Sequence, residues 1–259
     1  MKGLPPYCGL YYQSCGLRIK QMISSAYLRM ESIEGECTCA AATPDRRFTQ
    51  YNHSTRRHGS WRRAQSLAAH TLLRALVERE TGHSLSPWDI TTTESGKPMI
   101  DARHGAGGIE VALSHSKMIA ACAISDLGPI GIDVEYCAER SIDEIAASVF
   151  GPRERRAVVS GGPSAFYRIW TLREALAKAS GARFSILDSE HDFFANAPRT
   201  GIWPSAIGQQ EWLFSTGAFP GGYAYAIAAA VAPHVPLLAD FDAALAALEF
   251  KMTFYAYSP

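Results

Sequence analysis

Hydrophobic positions along this chain fall into two periods, and the change from one to the other marks its elements. From Ala64 to Thr81, Ala68, Leu72 and Leu76 lie beside Ala69, Leu73 and Val77, a three-and-four spacing that predicts an amphipathic helix ended at Gly82. A second long helix is predicted from Ser164 through Ser180, with Ile169, Leu172 and Leu176 as its apolar stripe and Gly181 just past its end. Ser141-Ile-Asp-Glu144 has the capping-box pattern and should start a short helix toward Phe150. Another short helix is predicted from Pro152 to about Ser160, with Gly161-Gly162-Pro163 as the break before the long one. A last helix is predicted from Leu238 to Phe250, where Phe241, Leu245 and Leu248 have helical spacing.

Between the helices the period shortens. Thr91 to Ile100 holds two β-prone pieces around the turn-forming Gly96-Lys97-Pro98. Glu110 to Leu113 and Met118 to Ile124 read as strands joined around Ser114-His115-Ser116-Lys117, and Gly131 to Glu135 follows as a third strand after the Gly128-Pro129 turn. These pieces are expected to form one meandering sheet. Glu211 to Phe214 and Tyr223 to Ala229 read as a further hairpin, so helix followed by strand pair occurs twice. Residues 1 to about 58 carry scattered aromatics and the basic pairs Arg46-Arg47 and Arg56-Arg57 without a clear period.

Composition narrows the class. Apolar content of 47% with 19% charged residues is that of a globular protein, and the 259 residues can bury a sizeable core. Lys plus Arg equals Asp plus Glu at 25 each, so no global field favours nucleic acid or an anionic membrane. Any anion site has to be local. The six cysteines form no Cys-x-x-Cys pair, which fits free thiols in a reducing cytosol, and no secretory leader or membrane span is expected.

The candidate chemistry begins at Gly131-Ile132-Asp133-Val134-Glu135. Two carboxylates two positions apart project from one face of a strand and either hold a cation or are solvated at a strand end. In the long helix Trp170, Glu174 and Lys178 stand in one row, either a surface ion pair or, with the large indole buried beside them, the floor of a site. Ser114 and His115 have no paired acid and no Gly-x-Ser-x-Gly elbow, which excludes a hydrolase triad.

Together, Ile130-Gly-Ile-Asp-Val-Glu135 and Trp170-Thr-Leu-Arg-Glu-Ala-Leu-Ala-Lys178 resemble the paired signature of 4′-phosphopantetheinyl transferases. Gly96-Lys97-Pro98 and Leu113-Ser114-His115-Ser116 match two further motifs of the larger, pseudo-dimeric class of that family. The four motifs lie in order over roughly residues 90 to 182.

The resemblance implies an α+β fold of two similar α/β halves, divided here into residues 1–127 and 128–259, with coenzyme A in the cleft between them. It implies a cytoplasmic, monomeric enzyme that moves the phosphopantetheine arm of coenzyme A to a serine of an apo acyl or peptidyl carrier protein. Mg²⁺ would be held by Asp133, Glu135 and Glu174, with Glu174 also the base and Lys178 stabilising the leaving phosphate. Ser114 and His115 would meet the coenzyme phosphates, and Gly96, Lys97 and Pro98 its adenine end; Arg62 and Arg63, at a helix start, either neutralise its 3′-phosphate or face water. Arg173 departs from the lysine that the family usually places before the catalytic glutamate. A non-catalytic coenzyme or nucleotide binder, with Arg173 marking lost activity, and a metal-dependent phosphohydrolase are the alternatives.

Overall fold

Two four-stranded sheets, each backed by a long helix, and a small two-stranded sheet make up the computed structural model, which describes residues 21–29, 58–94, 96–181, 192–231 and 248–256. In chain order the elements are β1 (Gln21–Arg29), α1 (His58–Thr81), β2 (Ile90–Thr92), β3 (Pro98–Ile100), β4 (Glu110–Ser116), β5 (Ile119–Ser125) and β6 (Ile130–Tyr136). They continue as α2 (Ile142–Val149), α3 (Pro152–Ser180), β7 (Gly201–Ile207), β8 (Gln210–Phe219), β9 (Tyr223–Ala230) and β10 (Leu248–Ala256). The first sheet has the order β10-β1-β5-β4 and the second β6-β9-β8-β7.

The repeat suspected from the sequence is visible in this topology. The unit β1-α1-β4-β5 places its strands in the order first, third, second, and β6-α3-β8-β9 does the same. The mixed α+β architecture with two similar halves is therefore observed. The expected division at 127/128 falls in the connection between β5 and β6, while β10, beyond it, runs parallel to β1 at the outer edge of the first sheet.

Small residues on the strands decide how closely the helices approach. All of β9 is buried, with Ala224, Ala226, Ala228 and Ala230 turned toward α3 and Tyr225, Ile227 and Ala229 toward the core shared with the first sheet. On the first sheet, Leu73, Leu76 and Val77 of α1 pack on Ala26, Val111, Cys122 and Ile124. Each such fully buried aliphatic side chain contributes about 1.5–3 kcal/mol. The other faces of the two sheets enclose a common core containing Ile23, Tyr27, Ala121, Ile130, Ile132 and Val134.

Several expectations are corrected here. β6 is not the third strand of the β4–β5 meander: it begins the second sheet by pairing with β9. Ser114, His115 and Ser116 lie in β4 itself, and the reversal falls on Lys117, whose φ of 48° is left-handed. The helix predicted to reach Phe250 meets a strand, since Leu248–Ala256 is β10, while residues 238–247 lie outside the described residues. The break expected at Gly161-Gly162-Pro163 is present: α3 consists of two helical segments separated where Gly162 leaves the helical region at φ 61° and ψ −151°. The start of α2 is where expected, but Ser141 makes no side-chain cap bond. Strands β1 and β7 were not expected.

Candidate active site

The two sheets meet edge to edge, β4 against β6, and the join is made by side chains rather than by a backbone ladder. Ser114 Oγ donates to Asp133 Oδ1 at 3.0 Å and accepts the Val134 amide at 3.2 Å. Two residues on, Ser116 Oγ donates to Glu135 Oε2 at 3.0 Å and accepts the Tyr136 amide at 3.0 Å. Period-two alternation puts both serines on one side of β4 and both carboxylates on one side of β6, so a single register satisfies all four contacts. The Met118 amide bonded to Tyr223 Oη at 3.1 Å and Gln65 Nε2 bonded to the Lys117 carbonyl at 2.8 Å fix the β4–β5 turn against both halves.

Over this seam α1 and α3 leave a cavity of about 350 Å³. Leu113, Ser114 and His115 of β4, Asp133 and Glu135 of β6, and Glu174 and Lys178 of α3 line it, closed on the α1 side by Ser66 and Ala69. α3 comes this near to β6 because Gly131 carries no side chain: a Cβ there would fall 2.0 Å from the Ala175 carbonyl oxygen. Lys178 Nζ donates to Asp133 Oδ1 at 2.7 Å, to the Ile132 carbonyl at 3.1 Å and to Ser114 Oγ at 3.3 Å.

The electrostatics are those of crowded carboxylates. Burial, then the Asp133 charge, pushes the Glu135 carboxyl above the ordinary glutamate value, and the same two causes raise Glu174, with Lys178 opposing. The protein around His115, then the Lys178 charge, holds its imidazole below the usual value, so it is neutral at pH 7. Among the described residues no three His, Cys, Asp or Glu side chains are drawn into a metal-ligand cluster. The donor set nevertheless fits a hard divalent cation: it is all carboxylate oxygen, and Asp133 Oδ2 is buried without a hydrogen-bond partner.

Of the site residues expected from the sequence, Ser114, His115, Asp133, Glu135, Glu174 and Lys178 come together. Gly96, Lys97 and Pro98 do not line the cavity. Gly96, with φ 85°, turns the chain between β2 and β3, and Lys97 Nζ is bonded to Glu110 Oε2 at 2.7 Å. Arg63 is exposed outside the cavity lining, and its neighbour Arg62, one turn before Ser66, is the residue whose charge reaches His115. Trp170 is not the floor of the site. It stacks on Phe166 at 5.8 Å and packs against the α2–α3 core.

Arg173 also turns away from the cavity. Its guanidinium is fully buried, 2.6 Å from Glu154 Oε2, and lies over the rings of Phe150 and Phe193 at 5.5 and 5.4 Å. Glu154 in turn accepts the amides of Phe193 and Phe194 at 3.2 and 2.9 Å, and Asp192 accepts those of Arg153 and Glu154 at the start of α3, each at 2.8 Å. Arg173 therefore anchors α3, and its presence has no bearing on the charge of the cavity. Sequence reasoning missed Ser66, Ala69 and Ser116. Ser116 had a signal, since it repeats Ser114 at the spacing that Glu135 repeats Asp133.

Comparison with known proteins supports the same reading. Residues 129–228 match the family model of the 4′-phosphopantetheinyl transferase superfamily. The chain is 32% identical over 124 residues to the 4′-phosphopantetheinyl transferase HetI of Nostoc sp., covering 46% of this chain and 52% of that protein. To the 4′-phosphopantetheinyl transferase gsp of Aneurinibacillus migulanus it is 35% identical over 132 residues, 49% of this chain and 53% of that protein. To the 4′-phosphopantetheinyl transferase AcpT of Salmonella typhimurium it is 33% identical over 126 residues, 46% and 60% of the two chains. The chain thus spans about half the length of the curated relatives it matches. The stretch that resembles the 4′-phosphopantetheinyl transferase superfamily, residues 129–228, carries Asp133, Glu135, Glu174 and Lys178.

Proposed function

We propose that this chain transfers the 4′-phosphopantetheine arm of coenzyme A to a serine of an apo acyl or peptidyl carrier protein, releasing adenosine 3′,5′-bisphosphate. The observation that carries the proposal is the convergence of three carboxylates and one ammonium on a single cavity at the seam between the halves. In the reaction a serine oxygen–phosphorus bond forms and the phosphorus–oxygen bond of the diphosphate breaks. Glu174 accepts the serine proton, and its raised carboxyl affinity for protons suits it to that task. Lys178 stabilises the charge that develops on the departing phosphate. Asp133, Glu135 and Glu174 would hold Mg²⁺, which when bound supplies charge neutralisation on the diphosphate.

Neutral His115 and Ser114 face the same cavity and suit contacts with coenzyme phosphates, with Arg62 contributing positive potential from α1. The reading places the protein in the cytosol as a monomer, and no helix among the described residues is long and apolar enough to cross a membrane. The non-catalytic alternative drew on Arg173, which stands outside the cavity.

Incubation with apo carrier protein, coenzyme A and Mg²⁺, followed by intact-mass spectrometry, tests the proposal. The carrier should gain one phosphopantetheine arm, and Glu174→Ala or Lys178→Ala should lose transfer while keeping the wild-type circular dichroism. Coenzyme breakdown without any carrier would instead indicate a phosphohydrolase. Binding of coenzyme with no transfer to any carrier of a fatty-acid, polyketide and peptide panel would indicate the binder.

A further inference from the structure

A second cavity, of about 240 Å³, opens between the part of α3 just past Gly162 and the β8–β9 hairpin, and it shares no lining residue with the first. Arg168 and Ser164, one helical turn apart on α3, line one wall, Arg199 comes from the connection leading into β7, and Gly222 and Tyr223 lie opposite. The lining contains two arginines and no acid.

The Arg168 guanidinium is unusually placed. Its Nε is buried and has no hydrogen-bond partner. Burial and the neighbouring Arg199 charge both act against its protonated form. No carboxylate of the described residues pairs with either arginine, in contrast to Arg173, later on the same helix, which is satisfied by Glu154 from across the Gly162 break. The other polar group of the wall is already committed, because Tyr167 Oη donates to the Ala138 carbonyl at 2.7 Å with Arg140 over its ring at 5.1 Å. A half-buried guanidinium beside a second, exposed one, with no counter-charge in the lining, favours an anion between them.

We propose that this cavity is a phosphate-group site, with Arg168 and Arg199 as its two cationic walls. A guanidinium presents a planar fork of donors suited to phosphate oxygens, and two of them balance a phosphate dianion. The volume is several times the ~30 Å³ share of one water, enough for a tetrahedral anion. Ser164, exposed at the mouth, supplies a hydroxyl for a further oxygen. The site stands on its own and does not depend on the chemistry assigned to the first cavity.

The test is nuclear magnetic resonance of the intact protein labelled with ¹⁵N-arginine, following the Arg168 Nε–Hε signal, assigned by its absence in Arg168→Lys. Inorganic phosphate replaces chloride at constant ionic strength. A saturable shift is expected, weakened roughly tenfold in Arg199→Gln, as fits loss of one charge-assisted contact. Arg199 is exposed, so that variant keeps the fold. A shift that fails to saturate, that chloride reproduces, or that Arg199→Gln leaves unchanged would overturn the proposal. Because the signal belongs to Arg168, phosphate bound in the first cavity cannot imitate the result.

Discussion

One added methyl group at position 131 should disable the site without touching any residue that lines it. Built on the Gly131 backbone, a Cβ lies 2.0 Å from the Ala175 carbonyl oxygen and 2.6 Å from the Ala179 amide nitrogen. Ordinary contact begins at 3.4 Å, so β6 and α3 have to part by about 1.4 Å, the difference between 3.4 and 2.0. Both obstructing atoms are backbone, and trimming Ala175 to glycine gives no relief. Overpacking of this kind costs about 1–3 kcal/mol or more. At about 2–4 °C per kcal/mol for a chain of this size, the melting temperature of Gly131→Ala should fall by several degrees. The larger effect is on geometry. A separation of that size takes Lys178 out of hydrogen-bond range of Asp133, now 2.7 Å away, and carries Glu174 with it. A misplacement near 1 Å is worth about 100-fold in rate. Calorimetry of Gly131→Ala, with transfer to apo carrier protein measured below its melting temperature, reads the two consequences separately. A wild-type melting temperature with a wild-type rate would refute the close approach of α3 to β6 as the device that assembles the site.

Two further outcomes follow from the charges. Glu154→Gln strands the fully buried Arg173 and should lower stability in urea by about 3–5 kcal/mol, with transfer per folded molecule near wild type, since neither residue lines the cavity. Glu135 and Glu174 hold protons above the ordinary glutamate value, so Mg²⁺ binding should release protons and weaken as pH falls toward that range, which calorimetry in two buffers of different ionisation enthalpy would detect. In metal-free protein the sign for stability is the reverse of the usual carboxylate case. The folded state binds more protons than the unfolded chain between 4.5 and the raised value, and it loses stability as pH rises through that window.

The parts of this architecture legible in the sequence are those set by local periodicity. α1 and the second segment of α3 carry uninterrupted three-and-four spacing, and Asp133 and Glu135, or Glu174 and Lys178, share a face by strand or helix geometry alone. Pairing across strands is not local. Ile130, Ile132 and Val134 alternate equally well in either sheet, so nothing within β6 says that β9 is its partner. β7 was hidden by Pro204 and by the glycine that begins it, both tolerated on an edge strand. β10 had a signal that the helical spacing of Phe241, Leu245 and Leu248 obscured, since Leu248, Phe250, Met252 and Phe254 alternate with polar residues. Arg173 could not be placed because its partner, Glu154, lies nineteen residues earlier across the Gly162 kink.

The serine seam has a consequence for the molecule in solution as well as for its chemistry. β4 and β6 are each the terminal strand of a four-stranded sheet, and an open strand edge invites pairing with the edge of another molecule. Here each edge occupies the other, through hydroxyl bridges that consume the Val134 and Tyr136 amides. The same two hydroxyls hold Asp133 and Glu135 by their carboxylates. Loss of Ser114 and Ser116 together would therefore free two sticky edges at the moment it loosened the acids, joining resistance to aggregation and the spacing of the carboxylates in one pair of side chains.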